Sequence, residues 1–70
     1  MQEFRFAEVL LPLALKNTLT YSIPEDLAEN VKPGFRVVVI LGKRKMYSGI
    51  VTIVHNNQPD FECKPIYSAI

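Results

Sequence analysis

Apolar residues along this chain fall in short runs punctuated by turn formers, with almost no helical spacing. The richest runs are central. Phe35 to Leu41 and Tyr47 to Val54 are both dense in β-branched side chains, and the turn pair Pro33-Gly34 stands ahead of the first. A loop carrying Gly42, Lys43, Arg44 and Lys45 joins them, so the pattern predicts a β-hairpin with adjacent cations at its tip.

Upstream, Leu19, Thr20, Tyr21, Ser22 and Ile23 alternate strictly. Leu19, Tyr21 and Ile23 therefore point one way and Thr20 and Ser22 the other, in a short strand stopped by Pro24. Phe4 to Leu11 alternates imperfectly, with Phe4, Phe6 and Leu10 on one face and Ala7, Val9 and Leu11 on the other. Two largely apolar faces predict a strand covered on both sides or closing a small barrel, ended by Pro12. Pro24, Glu25 and Asp26 open a turn or single helical turn through Asn30, with early acids suited to a helix start. After a polar loop from His55 to Asp60, Phe61 to Ile70 is expected to lie along the hairpin as a last strand, with Pro65 marking an edge position or a bulge. The sum is a mainly β fold: a small antiparallel β-barrel or partly closed twisted sheet of four to five strands, with a short helical turn near residues 25–30.

Composition narrows this. At 70 residues the chain makes one domain, 1–70, with no repeat or linker, and so small a core is marginal unless something else packs on it. The apolar end at Ile70 has the look of a fragment of something larger. Net charge is only +1, yet from Asn30 to Pro59 there is no Asp or Glu while Lys32, Arg36, Lys43, Arg44 and Lys45 are all positive. A near-neutral chain thus contains a basic segment, which either meets a polyanion or blunts an exposed sheet edge.

Several chemistries are excluded. A single Cys and a single His make neither an internal disulfide nor a zinc set, and the lone thiol points to a reducing compartment. Cys63 reads as a small buried side chain and His55 as a solvated turn histidine with no nucleophile beside it. Gly42-Lys43 lacks the upstream Gly and the following Ser or Thr of an ATP-binding loop. The apolar run Val9 to Leu15 is interrupted by Pro12, follows Glu3 and Glu8 and leads to no cleavage site, so it is no export signal. No run approaches the ~20 apolar residues that span a bilayer, and a cytoplasmic, non-enzymatic piece is expected.

An ordered series of short motifs covers nearly the whole chain: Ala7-Glu8-Val9, Pro12-Leu13, Leu19-Thr20-Tyr21-Ser22-Ile23-Pro24, Val31-Lys32-Pro33-Gly34-Phe35-Arg36-Val37-Val38-Val39, Leu41-Gly42-Lys43, Gly49-Ile50-Val51 and Lys64. It resembles the N-terminal 3′ DNA-binding domain of the primosomal protein N′ (PriA) family of replication-restart helicases. The resemblance implies recognition of the 3′ end of a nascent strand at a stalled fork, in a pocket largely indifferent to base identity. By position that pocket would use Leu19, Thr20, Gly42 and Lys64, with Lys43, Arg44 and Lys45 tracking the DNA backbone. It further implies partners in forked DNA, the other domains of a parent helicase and primosome proteins. ATP and zinc would belong to that parent and no cofactor to this fragment. Each residue has a physical reason to serve: Gly42 lets main chain approach a sugar or base, Lys64 is a flexible point charge, and the Thr20 hydroxyl both donates and accepts.

The chain departs from the family at two of these positions. Members often carry an aromatic residue in place of Leu19 and an Asp in place of Thr20. Stacking on an aromatic is worth ~1 to 3 kcal/mol per base, which Leu19 replaces only in part. Thr20 accepts from a hydroxyl less strongly than a carboxylate, so weaker preference for a free 3′-hydroxyl is expected than in members with Phe-Asp here. Without the resemblance, Leu19 reads as partly core, Thr20 as an outward strand residue, Gly42 as a turn glycine and Lys64 as a solvated edge lysine. Tyr21 and Tyr47 are second-rank stacking residues, more often packed than free. The rival readings are a small SH3- or KOW-like barrel binding RNA or a protein partner, prompted by Pro33-Gly34-Phe35-Arg36-Val37, and a structural cap on a larger enzyme.

Overall fold

A computed structural model describes residues 4–14 and 16–70, so Glu3, and Leu15 at the end of the apolar run Val9 to Leu15, lie outside the described residues. Five strands form: β1 (Phe6–Leu10), β2 (Leu19–Ser22), β3 (Arg36–Leu41), β4 (Lys45–His55) and β5 (Ser68–Ala69). A 3-10 helix, Glu25–Asn30, follows β2. The strands make one unclosed sheet in the order β2-β1-β4-β3-β5, every neighbouring pair antiparallel. No helix among the described residues is long and apolar enough to cross a membrane.

The alternation read from the sequence decides which side is core. Ala7, Val9, Leu11, Tyr21, Val37, Val39 and Val51 are all buried on one face, with Val31 and Ile66 closing the cluster. One departure from expectation lies in how β1 is covered. β1 is covered on one face only: Leu10 is 50% exposed, and Glu8 shares its side of the strand. Two largely apolar faces predict a strand covered on both sides or closing a small barrel, but in this single sheet the outer face of β1 is open to solvent at Leu10. Gly49 sits where β1 crosses closest, since a Cβ there would lie 2.6 Å from Val9 Cγ1 and 2.8 Å from the Leu10 carbonyl oxygen. Only a residue without a side chain lets β1 and β4 pair at this point.

Strand limits shift at the hairpin. Lys45 pairs with Leu41 and is the first residue of β4, so the turn is Gly42–Arg44 and the tip carries Lys43 and Arg44, with Lys45 on the strand beside them. The C-terminal segment is also less regular than one strand. Only Ser68 and Ala69 pair with β3, while Pro65 makes an isolated parallel bridge to Ser22. Its bonds run through its neighbours, with the Ser22 amide donating to the Lys64 carbonyl at 2.9 Å and the Ile66 amide to the Ser22 carbonyl at 3.0 Å. Proline is tolerated because its own missing N–H would have gone unused. That bridge ties the two ends of the sheet together and sets Lys64 beside β2.

Candidate nucleic-acid interface

Three segments converge at one rim of the sheet: the start of β2, the hairpin turn and the tail before β5. The tyrosine alternation brings them there. Tyr21 is only 3% exposed, and its hydroxyl donates to the Ile40 carbonyl at 3.2 Å, pinning the end of β3 against β2. Burial raises the Tyr21 pKa, which keeps this donor protonated. At the turn, Gly42 has φ +71°, a left-handed backbone that side chains disfavour, and stands exposed with open space where a Cβ would be. Lys64, held in place by the Ser22 bridge, reaches across and donates from Nζ to the Gly42 carbonyl at 2.5 Å.

Between these elements lies a hollow of about 240 Å³ lined by Thr18, Leu19, Thr20, Tyr21, Ile40, Leu41, Gly42, Phe61, Glu62, Cys63 and Lys64. The structure thus brings together Leu19, Thr20, Gly42 and Lys64 from far-apart positions in the chain. Lys43 does not line this hollow but an adjoining wider concavity of about 600 Å³, which shares Gly42 and Lys64 with it and also includes Pro24, Pro65 and Tyr67. Arg44 and Lys45 are exposed and line neither hollow. Leu19 and Tyr47 are half-buried and pack against the core, and Tyr21 is buried within it.

Sequence reasoning missed two parts of this arrangement. Phe61 is 61% exposed and lines the hollow, an aromatic ring near the place where Leu19 lacks one. Its signal was faint, an apolar residue just after a polar loop. The second part is Glu8. Its Oε1 accepts from the Thr18 hydroxyl at 3.0 Å, and its Oε2 accepts from the Thr20 hydroxyl at 2.7 Å and from His55 Nε2 at 2.8 Å. His55 is therefore no solvated turn residue: it ends β4, bonds Glu8 and stacks on Phe6 with ring centroids 5.8 Å apart. A charge in an otherwise apolar strand, opposite a threonine, was the available clue.

The electrostatics follow from these bonds. Burial opposes ionisation of Glu8, but hydrogen bonds from Thr20, His55 and Thr18 outweigh it and lower its pKa. Burial first, and then the Glu8 carboxylate, raise the Cys63 pKa, which favours the protonated thiol. Among the described residues no three of His, Cys, Asp and Glu gather as a metal site requires. The hollow offers one ammonium, a bare main-chain turn, hydroxyls tied to a carboxylate and an exposed ring. No curated protein matches the chain. The sequence model of the PriA 3′ DNA-binding domain (3′BD) family matches it over residues 8–70.

Proposed function

Because the chain belongs to the PriA 3′ DNA-binding domain family, a DNA-binding family of replication restart, we propose that its hollow holds the terminal nucleotide of a 3′ end. The observation that supports this reading is the meeting of Leu19, Thr20, Gly42 and Lys64 around a single hollow, with Lys64 fixed on the Gly42 carbonyl. The last base lies against Leu19 and the exposed Phe61 ring, contacts that every base can make. Gly42 lets the sugar approach main chain. Lys64 faces the phosphodiester that precedes the last sugar, while Lys43, Arg44 and Lys45 track phosphates further back without reading sequence.

In a parent helicase this module would position the motor at a stalled fork, ATP and zinc serving elsewhere in that longer protein, alongside primosome partners. The RNA- or protein-binding barrel and the structural cap are less favoured, since the family whose model matches the chain is a DNA-binding one. Fluorescence anisotropy with short labelled oligonucleotides tests the proposal. A strand ending in a free 3′-hydroxyl should bind in a salt-sensitive way and more tightly than one capped with a 3′-phosphate. Gly42→Val, which places a branched side chain at the rim in a left-handed backbone, should weaken the free end about tenfold. Equal binding of 3′- and 5′-ends would leave only general affinity for nucleic acid.

A further inference from the structure

We infer that Glu8 sets which end group the hollow accepts, by fixing the direction of the threonine hydroxyls on its wall. The inference rests on the reading that a terminal nucleotide sits there. A threonine hydroxyl has one proton and two lone pairs. Thr18 and Thr20 both line the hollow, and both give their proton to Glu8, at 3.0 and 2.7 Å. What remains on each oxygen is acceptor capacity only. Such a wall receives a sugar hydroxyl, which donates. It refuses a terminal phosphate, which at neutral pH brings acceptor oxygens and roughly −1.5 to −2 charge.

Glu8 can hold this arrangement because it is itself fixed. The Asn57 amide donates to His55 Nδ1 at 3.1 Å, so the ring proton lies on Nε2 and is donated to Glu8 Oε2 at 2.8 Å. Phe6 stacks on that ring, and the Thr52 hydroxyl donates to the Glu8 carbonyl at 3.0 Å. The β1–β4 register shifts between Glu8 and Val9, a bulge of the kind that re-aims side chains next to binding sites. Glu8 does not line the hollow, so it acts through the threonines as a positioning residue. The exposed Glu62 carboxylate on the rim adds to the refusal of a doubly charged end. The missing carboxylate at position 20 is in this way supplied from the neighbouring strand, where Glu8 is the cross-strand partner of Thr20.

The test compares affinities for a 3′-hydroxyl and a 3′-phosphate strand in the full chain. In Glu8→Gln the amide has one acceptor oxygen and a donor NH₂, so at least one threonine proton is released toward the hollow. The ratio favouring the hydroxyl end should fall roughly three- to tenfold, mainly because the phosphate end binds better. Thr20→Val removes the acceptor and keeps the charge, and should lower the same ratio through weaker hydroxyl binding alone. A wild-type ratio retained in Glu8→Gln overturns the inference while leaving end binding intact. If Glu8→Gln does not fold, a ratio retained in Thr20→Val overturns it. A wild type that shows no preference between ends removes the premise as well.

Discussion

The two walls of the hollow are made in opposite ways. The β2 wall is built of side chains within a sheet: Thr18 and Thr20 are hydrogen-bonded to a part-buried carboxylate that a histidine on a third strand also holds. The hairpin wall is main chain at a positive-φ glycine, capped by one exposed lysine reaching from the tail. One wall carries negative charge behind neutral hydroxyls, the other a positive charge in the open. On the proposed reading the two walls would divide the labour, the β2 wall choosing the end group and the hairpin wall supplying attraction. The difference also implies unequal robustness, since several bonds share the load on one side and a single ammonium carries it on the other.

Removing that ammonium should therefore give the largest effect. Lys64→Ala is expected to weaken binding of a 3′-hydroxyl strand about tenfold or more, the scale of a charge-assisted hydrogen bond. Neutralising Lys43, Arg44 and Lys45 together should act differently. It should lower affinity for free and capped ends alike and reduce the slope of log affinity against log salt by about 2 for a single strand. Salt titrations of both variants by anisotropy separate a seated cation from a diffuse field. A tip variant that selectively lost the free 3′ end would erase the contrast.

The β2 wall makes a smaller prediction, read in stability. The folded pKa of Glu8 lies below its ordinary value, so its contribution is complete above the usual carboxylate range and is lost as pH falls through the lowered folded value. Thermal unfolding followed by circular dichroism should show the wild type losing stability from this source on acidification. Glu8→Gln should start lower at neutral pH and fall less steeply. Parallel curves for the two proteins would mean that the bonds to Thr18, Thr20 and His55 contribute nothing net.

Much of the fold is legible in the residues because local chemistry and global structure agree. β-branched runs give β3 and β4, strict alternation gives β2 with Tyr21 inward, and Pro33-Gly34 gives a turn closed by the Phe35 amide on the Lys32 carbonyl at 2.9 Å. What was not legible depends on register or layering. Nothing local says that the outer faces of Phe6 and Leu10 lack a covering layer. Nor does any local rule extend pairing back to Lys45. The site divides in the same way. Leu19, Thr20, Gly42 and Lys64, which meet at the hollow, come from the family resemblance and not from any local rule, whereas the Glu8 cluster joins residues 10, 12 and 47 positions away, which only strand pairing brings together. Phe61 follows a polar loop, so its position depends on where the Ser22 bridge anchors the tail.

The claim on which the account turns is that the last nucleotide of a 3′ end occupies the space between β2 and Gly42. Titrating ¹⁵N-labelled protein with a short strand ending in a 3′-hydroxyl, and mapping amide shifts, addresses it directly. The account predicts that Thr20, Gly42, Cys63 and Lys64 move most and that a 3′-phosphate on the same strand largely abolishes those shifts. Shifts confined to Lys43, Arg44 and Lys45, or identical with the blocked strand, would contradict it.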